Sequence, residues 1–129
     1  MNIPPGFTRL FPYLFVADAD AYLRFLAEGL GGAVAEVHRN PDATVANAHV
    51  EFGDTTIMVS QARGEFGPTK ATFYLYVADA DAATRQAEAA GASVMFEPTD
   101  MPYGDRQSGV TDPAGNVWWL SQRLEPGSY

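Results

Sequence analysis

One nine-residue tract occurs twice. Residues 13–21 read YLFVADADA and residues 74–82 read YLYVADADA, eight of nine positions matching at an offset of 61 in a chain of 129 residues. An offset of nearly half the chain means that both halves are built to fold the same way. In each copy alternating apolar and aromatic residues run into the tract, which is a strand signature. An Asp then stands where a helix needs a capping oxygen, Asp18 in one copy and Asp79 in the other. The first helix carries Leu23, Leu26 and Leu30 on one face and stops among Gly29, Gly31 and Gly32. The second carries Ala83, Ala87 and Ala90 and stops at Gly91, so its backbone should lie closer to a sheet than that of the leucine-bearing helix. Strand-like runs separated by turns follow each helix: AVAEVHR, TVANAHVEF and TTIMVSQ in the first half, then ASVMFEP, YGDRQSGVT and NVWWLSQ in the second. Each half reads as βαβββ. Residues 8–61 form the first module, 70–124 the second, and 62–69, which have no periodicity, read as the linker.

The chain length suits one domain with a real core. Sixteen acidic against eight basic residues leave a net charge of −8, which argues against partners recognised through phosphates, nucleic acid above all. Cysteine is absent, and with it disulfides, thiolate metal sites and cysteine nucleophiles. No window has the apolar length of a membrane span and the amino terminus does not read as a signal, so a cytoplasmic location is the expectation.

The second-half tract YGDRQSGVTDPAGNVWWLSQ, residues 103–122, resembles the closing hairpin of the small glyoxalase-like proteins with their Asp-Pro-x-Gly-Asn turn. Together with the repeat it makes residues 8–124 similar to the vicinal-oxygen-chelate superfamily, which groups glyoxalase I, bleomycin-resistance proteins and extradiol dioxygenases. That resemblance implies an α+β fold in which two βαβββ modules form a cup-shaped, mostly antiparallel eight-stranded sheet. The helices would lie outside, the ligand site inside the cup, and the protein would be a homodimer.

Alternation along the strands assigns faces independently of the family. Leu10, Pro12, Leu14 and Val16 share one side of the first strand, and Phe11, Tyr13 and Phe15 the other. In the fifth strand Phe73, Leu75 and Val77 oppose Thr72, Tyr74 and Tyr76. If the aliphatic set packs under the helices, the aromatic set lines the cup, joined by Met58, Ser60, Val117, Trp119 and Ser121, while Trp118 goes beneath a helix. Such an aromatic wall suits a flat ligand, and the acidic surface favours a cationic one.

Metal-dependent members of the superfamily place His, Glu, His and Glu in the cup, and this chain carries Phe11, Met58, Thr72 and Trp119 at the matching positions. No metal or other cofactor is therefore expected. His38, His49 and Glu51 are a conceivable replacement set, and a hydrogen-bonded or solvated histidine is the plainer reading; His49 also serves as a candidate polar ligand contact. Tyr103, Asp105, Arg106 and Gln107 are the remaining polar candidates, with Tyr103 and Arg106 at the cup mouth and Arg106–Asp105 as a simple local pair otherwise. No nucleophile elbow, phosphate-cradling glycine loop or recognisable acid–base carboxylate pair is present. The leading reading is a metal-free protein resembling the bleomycin-resistance branch, which sequesters an aromatic compound, a cationic one by preference, such as an antibiotic. The other reading is a glyoxalase-like lyase or isomerase with an atypical or absent metal site. An interaction module with a self-filled cup is a third, and a cavity above ~300 Å³ counts against it.

Overall fold

The computed structural model describes residues 1–129. In chain order the elements are β1 (Tyr13–Val16), α1 (Ala19–Leu30), β2 (Ala33–Arg39), β3 (Val45–Phe52), β4 (Thr55–Gln61), β5 (Thr72–Tyr76), α2 (Ala80–Ala89), β6 (Ser93–Asp100), β7 (Asp105–Thr111) and β8 (Val117–Arg123). Two βαβββ modules are thus present. No helix is long and apolar enough to cross a membrane.

The strands form two four-stranded mixed sheets, ordered β1-β4-β3-β2 and β5-β8-β7-β6, rather than the single eight-stranded sheet expected from the resemblance. In each, the first strand of the module pairs parallel with the last, Tyr13 opposite Met58 and Tyr74 opposite Trp119, and the remaining ladders are antiparallel. One physical reason for the break lies at the outer edge of β1. There Thr69 donates its N–H to the Phe15 carbonyl at 2.9 Å and its hydroxyl accepts the Phe15 N–H at 3.0 Å, so the groups a further strand would need are taken. The chain divides into two compact units, residues 1–27 with 31–70 and residues 28–30 with 71–129. Residues 62–69 therefore belong to the first unit, folded back through a reciprocal Arg63–Phe66 backbone pair.

Asp18 and Asp79 cap the two helices as their spacing implies, each accepting the N–H three residues on at 3.1 Å. Gly31 ends α1 at φ 74°, a left-handed conformation that a side chain would oppose. Helix α1 buries Tyr22, Leu23, Phe25 and Leu26. It stands off its strands, whereas α2 brings its Cα atoms within 8 Å of β6, β7 and β8. The inner face of α2 is Ala80, Thr84 and Ala87, with Ala83 and Ala90 only half-buried. Thr84 takes the inner position because its hydroxyl is satisfied there, 2.6 Å from the Ala80 carbonyl oxygen and 2.7 Å from Ser108 Oγ.

The first strand begins at Tyr13 rather than Leu10. Pro12 has no N–H to extend the ladder, and Leu10 is 88% exposed. Leu14, Val16, Ala48, Val50, Ile57 and Val59 form the core of the first unit, and Val110, Trp118 and Leu120 that of the second. Trp118 stacks on Phe73 at 4.2 Å and donates its indole N–H to Asp112 at 2.9 Å. Asp112 also accepts the Ala114 and Asn116 N–H groups, so the Asp-Pro-x-Gly-Asn turn is locked to the core tryptophan.

Candidate functional site

With Leu14, Val16, Trp118 and Leu120 turned inward, alternation sends Tyr13, Phe15, Tyr74, Tyr76 and Trp119 to the other face of each sheet. On the first sheet one row runs Tyr13, Met58, His49, Glu36. Tyr13 stacks on Phe15 at 4.7 Å, and Phe15 on Phe66 at 5.6 Å. Phe11 precedes the strand and leans on Phe7 at 4.9 Å, and Phe7 meets the edge of His49 at 5.0 Å. The two histidines gather around Glu36, at 3.0 Å from His38 and 4.0 Å from His49, and not around Glu51. No group of three His, Asp or Glu is placed to hold a metal ion.

The corresponding face of the second sheet is built around a buried carboxylate. Asp105 has no exposed surface. Its Oδ2 accepts hydrogen bonds from Tyr74 at 2.6 Å, Ser121 at 2.8 Å, Tyr76 at 3.2 Å and Tyr129 at 3.3 Å. Its Oδ1 accepts from Arg123 at 2.9 Å. Gln107, also buried, accepts from the Tyr103 hydroxyl at 2.6 Å and donates to Ser121 at 3.1 Å. Arg123 donates as well to the carbonyls of Tyr103 and Ser128, and its guanidinium lies 4.6 Å from the centre of the Tyr129 ring. Alternation along β7 and β8 is what aims these groups together, since Asp105 lies opposite Arg123 and Gln107 opposite Ser121.

Burial pushes the Asp105 carboxyl up, but the bonds from Tyr74, Arg123 and Ser121 and the Arg123 charge outweigh it and hold the group below its ordinary range. Burial of the Tyr74 hydroxyl, with the Asp105 carboxylate bonded to it, pushes that phenol well above its ordinary value. Tyr74 is nonetheless 48% exposed, because its ring faces outward while its oxygen points in. Beside this network the rings of Tyr74, Tyr103 and Tyr129 line a surface cavity of about 470 Å³ that is wide open to solvent.

The structure brings Tyr74, Tyr76 and Tyr103 together, with Trp119 opposite Tyr74. Thr72 shares their alternation but lies exposed at the strand start, opposite Val117. Arg106 is not at this face. Its neighbours Asp105 and Gln107 point to the tyrosines, so Arg106 points to the α2 side, where it holds Asp81 through two bonds of 3.0 Å and Asp100 at 2.9 Å. Its ion-pair partners are these two and not Asp105. Sequence reasoning missed Arg123 and Tyr129. For Arg123 a signal existed, since it lies two residues beyond Ser121 and so on the same face of the strand. No pattern marked Tyr129.

Paired βαβββ modules carrying a polar-centred, ring-lined recess define a fold-and-cavity class rather than a reaction. Residues 7–120 match the Glyoxalase/Bleomycin resistance protein/Dioxygenase superfamily, and the chain belongs to it. An uncharacterised protein of Mycobacterium bovis is 29% identical over 133 residues, covering 95% of this chain and 86% of that one. Among solved structures, TioX from Micromonospora sp. ML1 superposes with a TM-score of 0.77 at 24% identity, covering 91% of this chain and 99% of that one. A glyoxalase-related enzyme from Fulvimarina pelagi gives 0.68 at 19%, covering 89% and 88%. The metal found in some superfamily members does not fit this chain. Phe11, Thr72 and Trp119 offer no nitrogen or carboxylate donor at three of the four positions, and Met58 offers only a soft thioether.

Proposed function

We propose that the protein binds and sequesters a small aromatic molecule, in the manner of the bleomycin-resistance branch, without a metal. One observation carries this reading. Tyr74 and Tyr103 on the wall of the cavity direct their hydroxyls to internal acceptors, Asp105 and Gln107, and so present ring faces to whatever enters. Ring faces stack on flat ligands. A surface cavity of about 470 Å³ has the volume of a small-molecule site. The overall charge of −8 would draw a cation toward the protein, but at Tyr129 the Arg123 guanidinium already lies against the ring, so cation recognition there is left to Tyr74 and Tyr103.

The lyase or isomerase reading needs a group free to move a proton. Asp105, the buried carboxylate nearest the cavity, has both oxygens engaged by donors, which leaves it a scaffold rather than a base. A thermal-shift screen of aromatic compounds, followed by titration of each hit into wild type and Tyr74→Ala, tests the binding reading. Hits are expected, with Tyr74→Ala weakening them about tenfold. A screen without hits, or hits indifferent to Tyr74, would overturn it. One equivalent of zinc, nickel, iron or manganese per chain in protein purified without a metal-affinity tag would favour the enzyme instead.

A further inference from the structure

We infer that the recess on the second sheet recognises hydroxyaromatic compounds, and that Tyr129 is an internal stand-in occupying the place of such a ligand. The inference rests on the aromatic-ligand reading above and names its chemistry. Of the four donors to Asp105 Oδ2, Tyr74, Ser121 and Tyr76 come from strands of the sheet, while Tyr129 comes from a segment with no regular structure. The Tyr129 bond is also the longest, 3.3 Å, beyond the usual range for a hydroxyl donor. Beyond that bond its side chain meets the Tyr74 hydroxyl, the Arg123 guanidinium at 4.6 Å and the Tyr103 ring at 6.2 Å in an edge-to-face arrangement, with a bond from Arg123 to the neighbouring Ser128 carbonyl. Tyr129 remains 73% exposed. It is therefore the replaceable member of an otherwise rigid set.

What it leaves when it moves out is chemically specific. An ionised carboxylate oxygen sits at the base, where the long Tyr129 contact is the fourth and weakest of its hydrogen bonds, a guanidinium lies over the ring position, and the Tyr103 ring stands edge-to-face with it. A hydroxyl donor on an aromatic ring satisfies all three. Asp105 and Arg123 pair and offset each other, so the place favours neither sign of ligand charge, while an aryl ether would bring no proton to the carboxylate. The cavity of about 470 Å³ beside Tyr74, Tyr103 and Tyr129 leaves room for substituents beyond one ring. A neutral hydroxyarene entering here competes with Tyr129, so the free protein holds its own site partly closed.

Titration of 4-methylphenol and its methyl ether, 4-methylanisole, into wild type and Tyr129→Ala, followed by NMR of the backbone amides, tests this. Tyr129 is exposed enough that its removal leaves the fold intact. The phenol is expected to bind Tyr129→Ala about tenfold tighter than wild type, as removal of an internal competitor predicts. It should also bind tighter than the ether by about tenfold, as a hydroxyl-reading site discriminates, with shifts at Asp105, Ser121 and Arg123. Tyr129→Phe, which loses the hydroxyl but keeps the ring, should fall between the other two proteins. Equal binding of phenol and ether to Tyr129→Ala would overturn hydroxyl recognition while leaving the aromatic-ligand reading intact. Phenol binding no tighter in Tyr129→Ala than in wild type would overturn the stand-in role. Binding of neither probe, with other aromatic hits in the screen, defeats only this inference; an empty screen as well defeats both.

Discussion

Trp118 and Trp119 are chain neighbours with opposite surroundings. Trp118 is 2% exposed, stacked on Phe73 and bonded to Asp112, whereas Trp119 is half-buried beside Tyr74. Trp118→Ala should therefore lose about 3 to 5 kcal/mol in urea melts, as large-to-small core changes do, and Trp119→Ala clearly less. Trp119→Ala should instead weaken binding of aromatic hits. The Asp105–Tyr74 pair makes a second residue-scale prediction. Asp105 is depressed in the fold, so its contribution is present above its unfolded value of 3.8 and is lost as pH falls through the lower folded value; Asp20, Asp42 and Asp81 act in the same direction. Tyr74 is raised, so its contribution is complete below 10.0 and is lost as pH climbs toward the higher folded value. Urea midpoints measured against pH should form a plateau between about pH 5 and 9, with the alkaline decline flattened in Tyr74→Phe. An unchanged alkaline limb in that variant would show that Tyr74 is not its source.

Each helix is tied to its sheet by a glutamine from the last strand of its own module. Gln61 accepts the Ala19 N–H at 3.0 Å and Gln122 the Ala80 N–H at 2.9 Å, at the same offset of 61 that relates the repeated tracts. Both donors belong to fully buried alanines at the first helical position, and neither has an intrahelical acceptor. Gln122→Ala should cost about 1 to 3 kcal/mol, the penalty of an orphaned buried N–H, and accelerate hydrogen exchange at Ala80. Gln122→Glu keeps an acceptor and adds a negative charge at a helix N-terminus, so its stability should match or exceed wild type. On α2 a second tie exists, the Arg106–Asp81 pair. The repeat made both helices and their Asp caps legible. The glutamine ties and Thr84 went unread because a polar residue's value depends on which partner the fold brings to it.

For the whole molecule, we propose a homodimer. Strand β2 is an outer strand exposed along its full length, with Val34 and Val37 at 40% and 38%, and outer strand β6 exposes Met95 at 52%. Unprotected edges with apolar side chains invite a closed two-fold partner. Light scattering at micromolar protein should give twice 13.9 kDa; a single-chain mass would overturn the assembly.

The periodicities of the chain were sufficient to determine two βαβββ modules, their capped helices, the closer seat of the alanine-faced α2 and the inward turn of Trp118. All of these depend on residues near one another in sequence or on a strict alternation of two. The break into two sheets was not legible, because it is set partly by Thr69 reaching the edge of a strand 54 residues away. Nor was the polar centre of the site. Alternation placed Tyr74, Tyr76 and Ser121 on one face, but only the register of β7 against β8 sets Asp105 beside Arg123 and Gln107 beside Ser121, and only the path after β8 brings Tyr129 to the same carboxylate. Arg106 takes the side opposite Asp105 and Gln107 by alternation alone, but which of the two sides meets α2 was decided by what packs there.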